Sequence, residues 1–269
     1  MRDGNGTSVI FPPGEEIAKL VRSDSRRAEL KLRAVRKAVV AHPTDGYEYL
    51  AELSRRPEDK TRVWASTWGT VVFRGRFAPV LLEILRQSKG DVWSSVLSDL
   101  LSVQPDALRS ELPQLRNRLR RARTHGNGLL CVWALAQLAD AKSAPLIRAF
   151  GSRPDTPPYE SRTALVLADL VDAGPAGVFR YITEHRHDYV PEAAMVALKV
   201  GSADALAVLE QGAHAAADED CRRICAVHAT DLARLRATGT PPFWDWPGGP
   251  LSHIVYTDYD KATGRFLNN

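Results

Sequence analysis

Six arginines fall between positions 109 and 123, against one acid, Glu111. They are Arg109, Arg116, Arg118, Arg120, Arg121 and Arg123. Around them Leu112, Leu115, Leu119 and Ala122 recur at helical spacing and define an inner face. Arg116, Arg120 and Arg123 then share one flank at i, i+4 and i+7, while Arg118 and Arg121 occupy the other. Guanidinium forks at that density suit phosphates. The plainer alternative is a solvated outer helix in an arginine-rich chain. The 28 arginines stand against only 8 lysines, a bias that GC-rich coding also produces.

Other residues capable of chemistry have plainer explanations. Cys221, Cys225 and His228 lie at i, i+4 and i+7, a geometry that offers two thiolates and an imidazole to zinc. The same face runs on through Leu232 and Leu235, so it reads as the packing stripe of a last helix. His185, His187 and Asp188 precede Pro191 in a polar connection. Trp64, Trp68 and Trp93 fall at core positions of helical patterns, whereas Trp133 lies one position off its stripe and is placed to face a groove. The chain has no Walker-type phosphate loop, no nucleophile-elbow serine motif, no paired-histidine zinc motif and no dinucleotide-binding glycine pattern. The sequence therefore gives no positive sign of catalysis and calls for no cofactor.

The elements that position these residues come from a pattern written three times. LADAKSAPLIRAF (138–150), LVDAGPAGVFRYI (170–182) and LKVGSADALAVLE (198–210) each close one apolar helix, turn, and open another. The register extends upstream to give anchors at Val39, Val72, Leu101, Leu138, Leu170 and Leu198. A helix–turn–helix period near 30 residues is the mark of an α-solenoid. A final helix over 219–236 would close the stack. Residues 1–14, rich in Gly and Pro, read as a mobile arm, residues 15–238 as the repeat region, and 239–269 as a Pro/Trp-rich extension with a possible hairpin. SDSRR at 23–27 is expected to separate two helices, with Ser23 or Asp24 as the cap.

Charge divides unevenly along the chain. Residues 1–127 carry 23 Lys/Arg and 15 Asp/Glu, a balance of +8, and residues 128–269 carry 13 and 17, a balance of −4. One end therefore suits an anionic partner, nucleic acid or an acidic protein face. No apolar run approaches the ~18–20 residues of a membrane span, and no secretory leader is recognisable. The expectation is a cytoplasmic protein with reduced cysteines and no membrane association.

With that register in hand, residues 28–236 resemble HEAT-like repeat proteins, in compact units like those of bacterial members. The resemblance implies an all-α, right-handed solenoid of about six hairpins. In size and architecture the chain is also similar to the alkylpurine DNA glycosylases built from HEAT-like repeats. Those hold DNA on a basic concave face with tryptophans beside a catalytic Asp. Here no acid follows any of the four tryptophans at three or four residues, and the nearest substitute, Asp169, falls one repeat later at the register position of Gln137. The tail stretch YDKATGRFL resembles a motif of Rhs/YD-repeat toxin cores. The expected function is a non-enzymatic protein-binding solenoid, an adaptor or a toxin-neutralising immunity-type protein, with Trp133, Gln137 and the arginines at its interface. The alternative is a nucleic-acid-binding relative of the glycosylases, with Asp169 as its conditional catalytic acid.

Overall fold

A computed structural model describes residues 9–122, 125–216, 218–237, 259–260 and 265–266. The chain divides into two compact units, Met1–Val103 with Tyr256–Asn269, and Gln104–Val255. The first holds α1 (Gly14–Val21), α2 (Arg26–Ala41), α3 (Pro43–Ser54), α4 (Asp59–Phe73), α5 (Ala78–Gln87) and α6 (Gly90–Val103). The second holds α7 (Leu112–Arg121), α8 (His125–Gln137), α9 (Ala144–Gly151) and α10 (Pro158–Ala173). It continues with α11 (Pro175–Thr183), α12 (Val190–Val200), α13 (Ala203–Ala215) and α14 (Glu219–Ala237). The all-α expectation holds for the described residues between 14 and 237. Two short strands, β1 (Tyr259–Asp260) and β2 (Arg265–Phe266), pair antiparallel.

Helix boundaries follow local chemistry. Prolines sit in the first turn of α3, α5, α7, α9, α10, α11 and α12, where a missing N–H costs nothing and the fixed φ suits the helix. Ser25, rather than Ser23 or Asp24, caps α2: its hydroxyl accepts the Ala28 amide at 3.2 Å. Gly201 ends α12 in the left-handed region at φ 69°, the conformation glycine adopts without penalty. The anchors at Val39, Val72, Leu101, Leu170 and Leu198 fall in the last turns of α2, α4, α6, α10 and α12, and Leu138 directly follows α8.

In the first unit α3 packs on α4, α4 on α6 and α5 on α6, with α1 against α2 and α4. Trp93 and Phe77 are fully buried there and Trp68 is buried, while Trp64 is half-buried. Gly69 permits the closest approach: a Cβ at this position would lie 2.2 Å from the Phe77 ring. Residues 9–13, at the described end of the expected mobile arm, are held in place. Phe11 stacks on Tyr49 with centroids 4.4 Å apart, and the Tyr49 hydroxyl donates to the Pro12 carbonyl at 2.8 Å.

In the second unit α8 touches α10, α10 touches α12 and α12 touches α14, while α7 touches α9 and α11 touches α13. Each of α8, α10 and α12 also packs on the helix that follows it. One polar row thereby gains a fixed frame. No helix among the described residues is long and apolar enough to cross a membrane.

Candidate partner-binding site

α12 is an apolar helix, VPEAAMVALKV, interrupted by two charges. Glu192 and Lys199 are seven residues apart, so they share a face, with Met195 between them. Both charged residues are buried, Glu192 at 1 % and Lys199 at 5 % exposure. Neighbouring helices meet this stripe residue by residue. From α10, Arg162 Nε donates to Glu192 Oε1 at 2.9 Å, and the Tyr159 hydroxyl lies 3.7 Å from Met195 Sδ. From α8, the Trp133 ring lies under the Lys199 ammonium, 4.8 Å from nitrogen to centroid. Tyr159 stays 49 % exposed and Trp133 half-buried, so the aromatics give this row its accessible surface.

The electrostatics of the row are asymmetric. Arg162 offsets the Glu192 carboxylate directly. Lys199 is different: burial lowers its ammonium from the ordinary 10.5 to about 8. The indole face counters that shift, because its quadrupole attracts the cation. Such a perturbed amine beside an aromatic surface is a common feature of functional sites.

The arginine stripe is dispersed by the fold. Arg116 forks onto Asp140 at 2.7 and 2.9 Å and also reaches the Ser143 hydroxyl at 3.0 Å. Arg109, in a 3-10 turn ahead of α7, pairs with Asp106 at 2.9 Å and with the Leu138 carbonyl at 3.4 Å. Arg118 is half-buried and its charge acts on Cys131, whereas Arg120 and Arg121 are exposed. Arg123 lies outside the described residues. Leu115 and Leu119 form the buried face that their spacing implies.

Gln137 is buried at the end of α8. Asp169 has both carboxylate oxygens engaged: Arg148 Nη1 lies 2.8 Å from one, and the Tyr181 hydroxyl donates to the other. Arg148 also pairs with Asp172. Asp169 is thus a joint between α9, α10 and α11.

Cys221 and Cys225 are buried in α14, and burial pushes both thiols up to about 11, away from the thiolate that zinc binds. Burial likewise raises Cys131 to about 12 and lowers His228. No metal-holding cluster of His, Cys, Asp and Glu occurs among the described residues. His187 lies in a 3-10 turn, and its carbonyl accepts from Cys221 Sγ at 3.7 Å. The residues preceding Tyr259 in the tail, Trp244 and Trp246 included, lie outside the described residues.

Sequence reasoning picked out Trp133 but missed Tyr159, Arg162, Glu192 and Lys199. The available signal was the heptad spacing of the only two charges in α12. The chain matches no known protein-family model and no curated protein.

Proposed function

We propose that this chain is a HEAT-like solenoid that binds another protein, as an adaptor or a toxin-neutralising immunity-type protein. Its partner would dock on the concave side of the stack formed by α8, α10 and α12. One observation carries this reading: Trp133 from α8 and Tyr159 and Arg162 from α10 form one row, backed by Met195, Glu192 and Lys199 of α12. Trp, Tyr and Arg are the residue types that dominate binding energy at protein interfaces. Helices of such a stack contact only their neighbours and leave a long inner face for extended partners. The toxin-core resemblance of YDKATGRFL favours the immunity-type version.

The competing nucleic-acid reading draws support from Arg120 and Arg121, which remain exposed. It loses Arg116 to a largely buried pair with Asp140, while Arg109 makes an exposed surface pair with Asp106. The test is affinity capture from the native host with wild type, Tyr159→Ala and Arg120→Ala/Arg121→Ala, beside anisotropy with labelled duplex DNA at several salt concentrations. The protein-binding reading expects a specific partner that Tyr159→Ala loses and the arginine double variant keeps. DNA binding whose log K falls by about 0.9 per log salt for each phosphate engaged, and which needs Arg120 and Arg121, would overturn it.

A further inference from the structure

In the first unit, α2 has two faces of opposite character. Ala28, Leu32, Val35 and Val39 are buried against the unit. Away from them Arg26, Arg27, Leu30, Lys31, Ala34 and Lys37 are all exposed. Leu30 leaves 56 % of its surface to solvent, where a covered helix face would bury it. Across its 16 residues α2 carries six Lys/Arg and a single acid, Glu29, which is engaged by Arg36. The exposed face is therefore cationic, with an apolar residue in its middle.

A cleft of about 290 Å³ runs beside this face, between α2 and the segment that leads into α1. Phe11 and Leu20 line one side of it, and Ala34, Val35 and Ala38 the other. Ala34 belongs to both surfaces, one helical turn after Leu30. Ile10 stands at the edge of the cleft and is 91 % exposed. Phe11 is fixed by its stack on Tyr49, so this wall is preformed. Lys31 and Glu16 sit at the rim and pair at 3.0 Å, with side chains 50 % and 44 % exposed. Such a surface pair is worth little and exchanges readily for another carboxylate.

Exposed apolar side chains around a recess mark a docking place, and the charge beside them selects the partner. A single strand of nucleic acid wants open aromatic faces for its bases. Here one face of Phe11 is covered by Tyr49, and no other aromatic ring lines the cleft. A bilayer takes protruding apolar side chains and has no use for a recess. An amphipathic helix uses both features: its apolar residues at i, i+3 or i+4 and i+7 enter a groove, and acids on its flanks meet the cations. Arg27, Lys31 and Lys37 are spread over about 15 Å of α2, the length of roughly three helical turns. We propose that this face of the first unit docks an acidic amphipathic helix of another protein, independently of the α12 row in the second unit.

The test is selection from a phage-displayed peptide library against the full chain, with the Leu30→Glu protein as counter-selection. Enriched peptides are expected to carry apolar residues at i, i+3 or i+4 and i+7, flanked by Asp or Glu. The most enriched peptide, synthesised with a fluorophore, should bind the full chain in anisotropy with a Kd below about 0.1 mM. Leu30→Glu removes the apolar anchor, and Arg27→Glu/Lys37→Glu reverses the charge while keeping Leu30. Each should weaken the peptide at least about tenfold in protein whose far-UV spectrum is that of wild type, and Tyr159→Ala should leave it unchanged. Should Leu30→Glu fail to fold, the charge reversal serves for both steps. No enriched peptide, enriched peptides without acids, variants that bind as wild type does, or loss of binding in Tyr159→Ala would each overturn the proposal. So would tighter binding to phosphatidylserine vesicles or duplex DNA that the same α2 variants abolish.

Discussion

Lys199→Met tests the electrostatics of the α12 row through stability. Burial lowers the folded-state ammonium from 10.5 to about 8. In the unfolded chain the amine stays protonated to about pH 10.4. Below pH 8 both states hold the proton, so the penalty of burying the charge is constant. Between pH 8 and 10.5 the folded state releases the proton while the unfolded state keeps it, and stability contributed by this group rises with pH. Two and a half pKa units correspond to about 3 kcal/mol across that window. The Trp133 face favours the protonated amine and offsets about 0.5–2 kcal/mol of this, leaving about 1–3 kcal/mol.

Methionine keeps the length and apolar stem and cannot titrate. Urea denaturation of both proteins at a series of pH values, followed by far-UV ellipticity, gives the stability of wild type minus that of Lys199→Met. Titrations common to both proteins cancel in that difference. It should climb by about 1–3 kcal/mol as pH rises through the window. A flat difference between pH 8 and 10.5 would refute the assignment of a buried, charge-penalised amine at this position.

Two further perturbations examine the helical scaffold, one in each unit. Arg116→Met removes the fork from Asp140, whose side chain is only 11 % exposed, and should cost about 2–4 kcal/mol in urea denaturation; a loss within about 0.5 kcal/mol would show the pair to be a surface contact. Arg74 ends α4 at φ 50°, ψ −135°, a region disfavoured for any residue with a Cβ. Arg74→Gly should therefore stabilise the chain by about 1 kcal/mol, read as a raised melting temperature, and a lowered one would mean that the Arg74 side chain contributes more than its backbone costs.

The fold was legible because helix chemistry is local. Prolines in first turns, glycine at a helix end and apolar periodicity are written next to the positions they govern, so the anchor register located where six helices end. The cap of α2 was missed by a residue or two because Ser23, Asp24 and Ser25 are all capable of capping, and only the backbone turn decides among them. The site was less legible for a different reason. Trp133 stood out by leaving its own stripe, but its meaning depends on Lys199, two packed helices away and 66 positions later. Asp169 matched the register position of Gln137, yet register does not report which way a carboxylate turns, and Arg148 and Tyr181 turned this one into a structural joint.

The arginines show why a charge count misled more than a periodicity did. Every helix end leaves carbonyls without intrahelical partners, and short helices have many ends for their length. α7, α9 and α11 are 10, 8 and 9 residues long. Arginine reaches across to these ends from elsewhere in the chain. Arg153 donates to the carbonyls of Ala122, Leu119 and Arg120 at 2.9, 3.3 and 3.3 Å and so closes the C-terminus of α7. Arg222 does the same for Ala216 at 2.7 Å, and Arg236 for Gly201 at 2.9 Å. A planar fork can serve two or three carbonyls at once, which a lysine point charge cannot do with the same geometry. The excess of arginine over lysine thus has a use inside the fold as well as a source in coding bias. A basic stripe read from sequence includes guanidiniums already committed to helix ends and internal carboxylates. The surface available to an anionic partner is what remains after those are subtracted, and around α7 that remainder centres on Arg120 and Arg121.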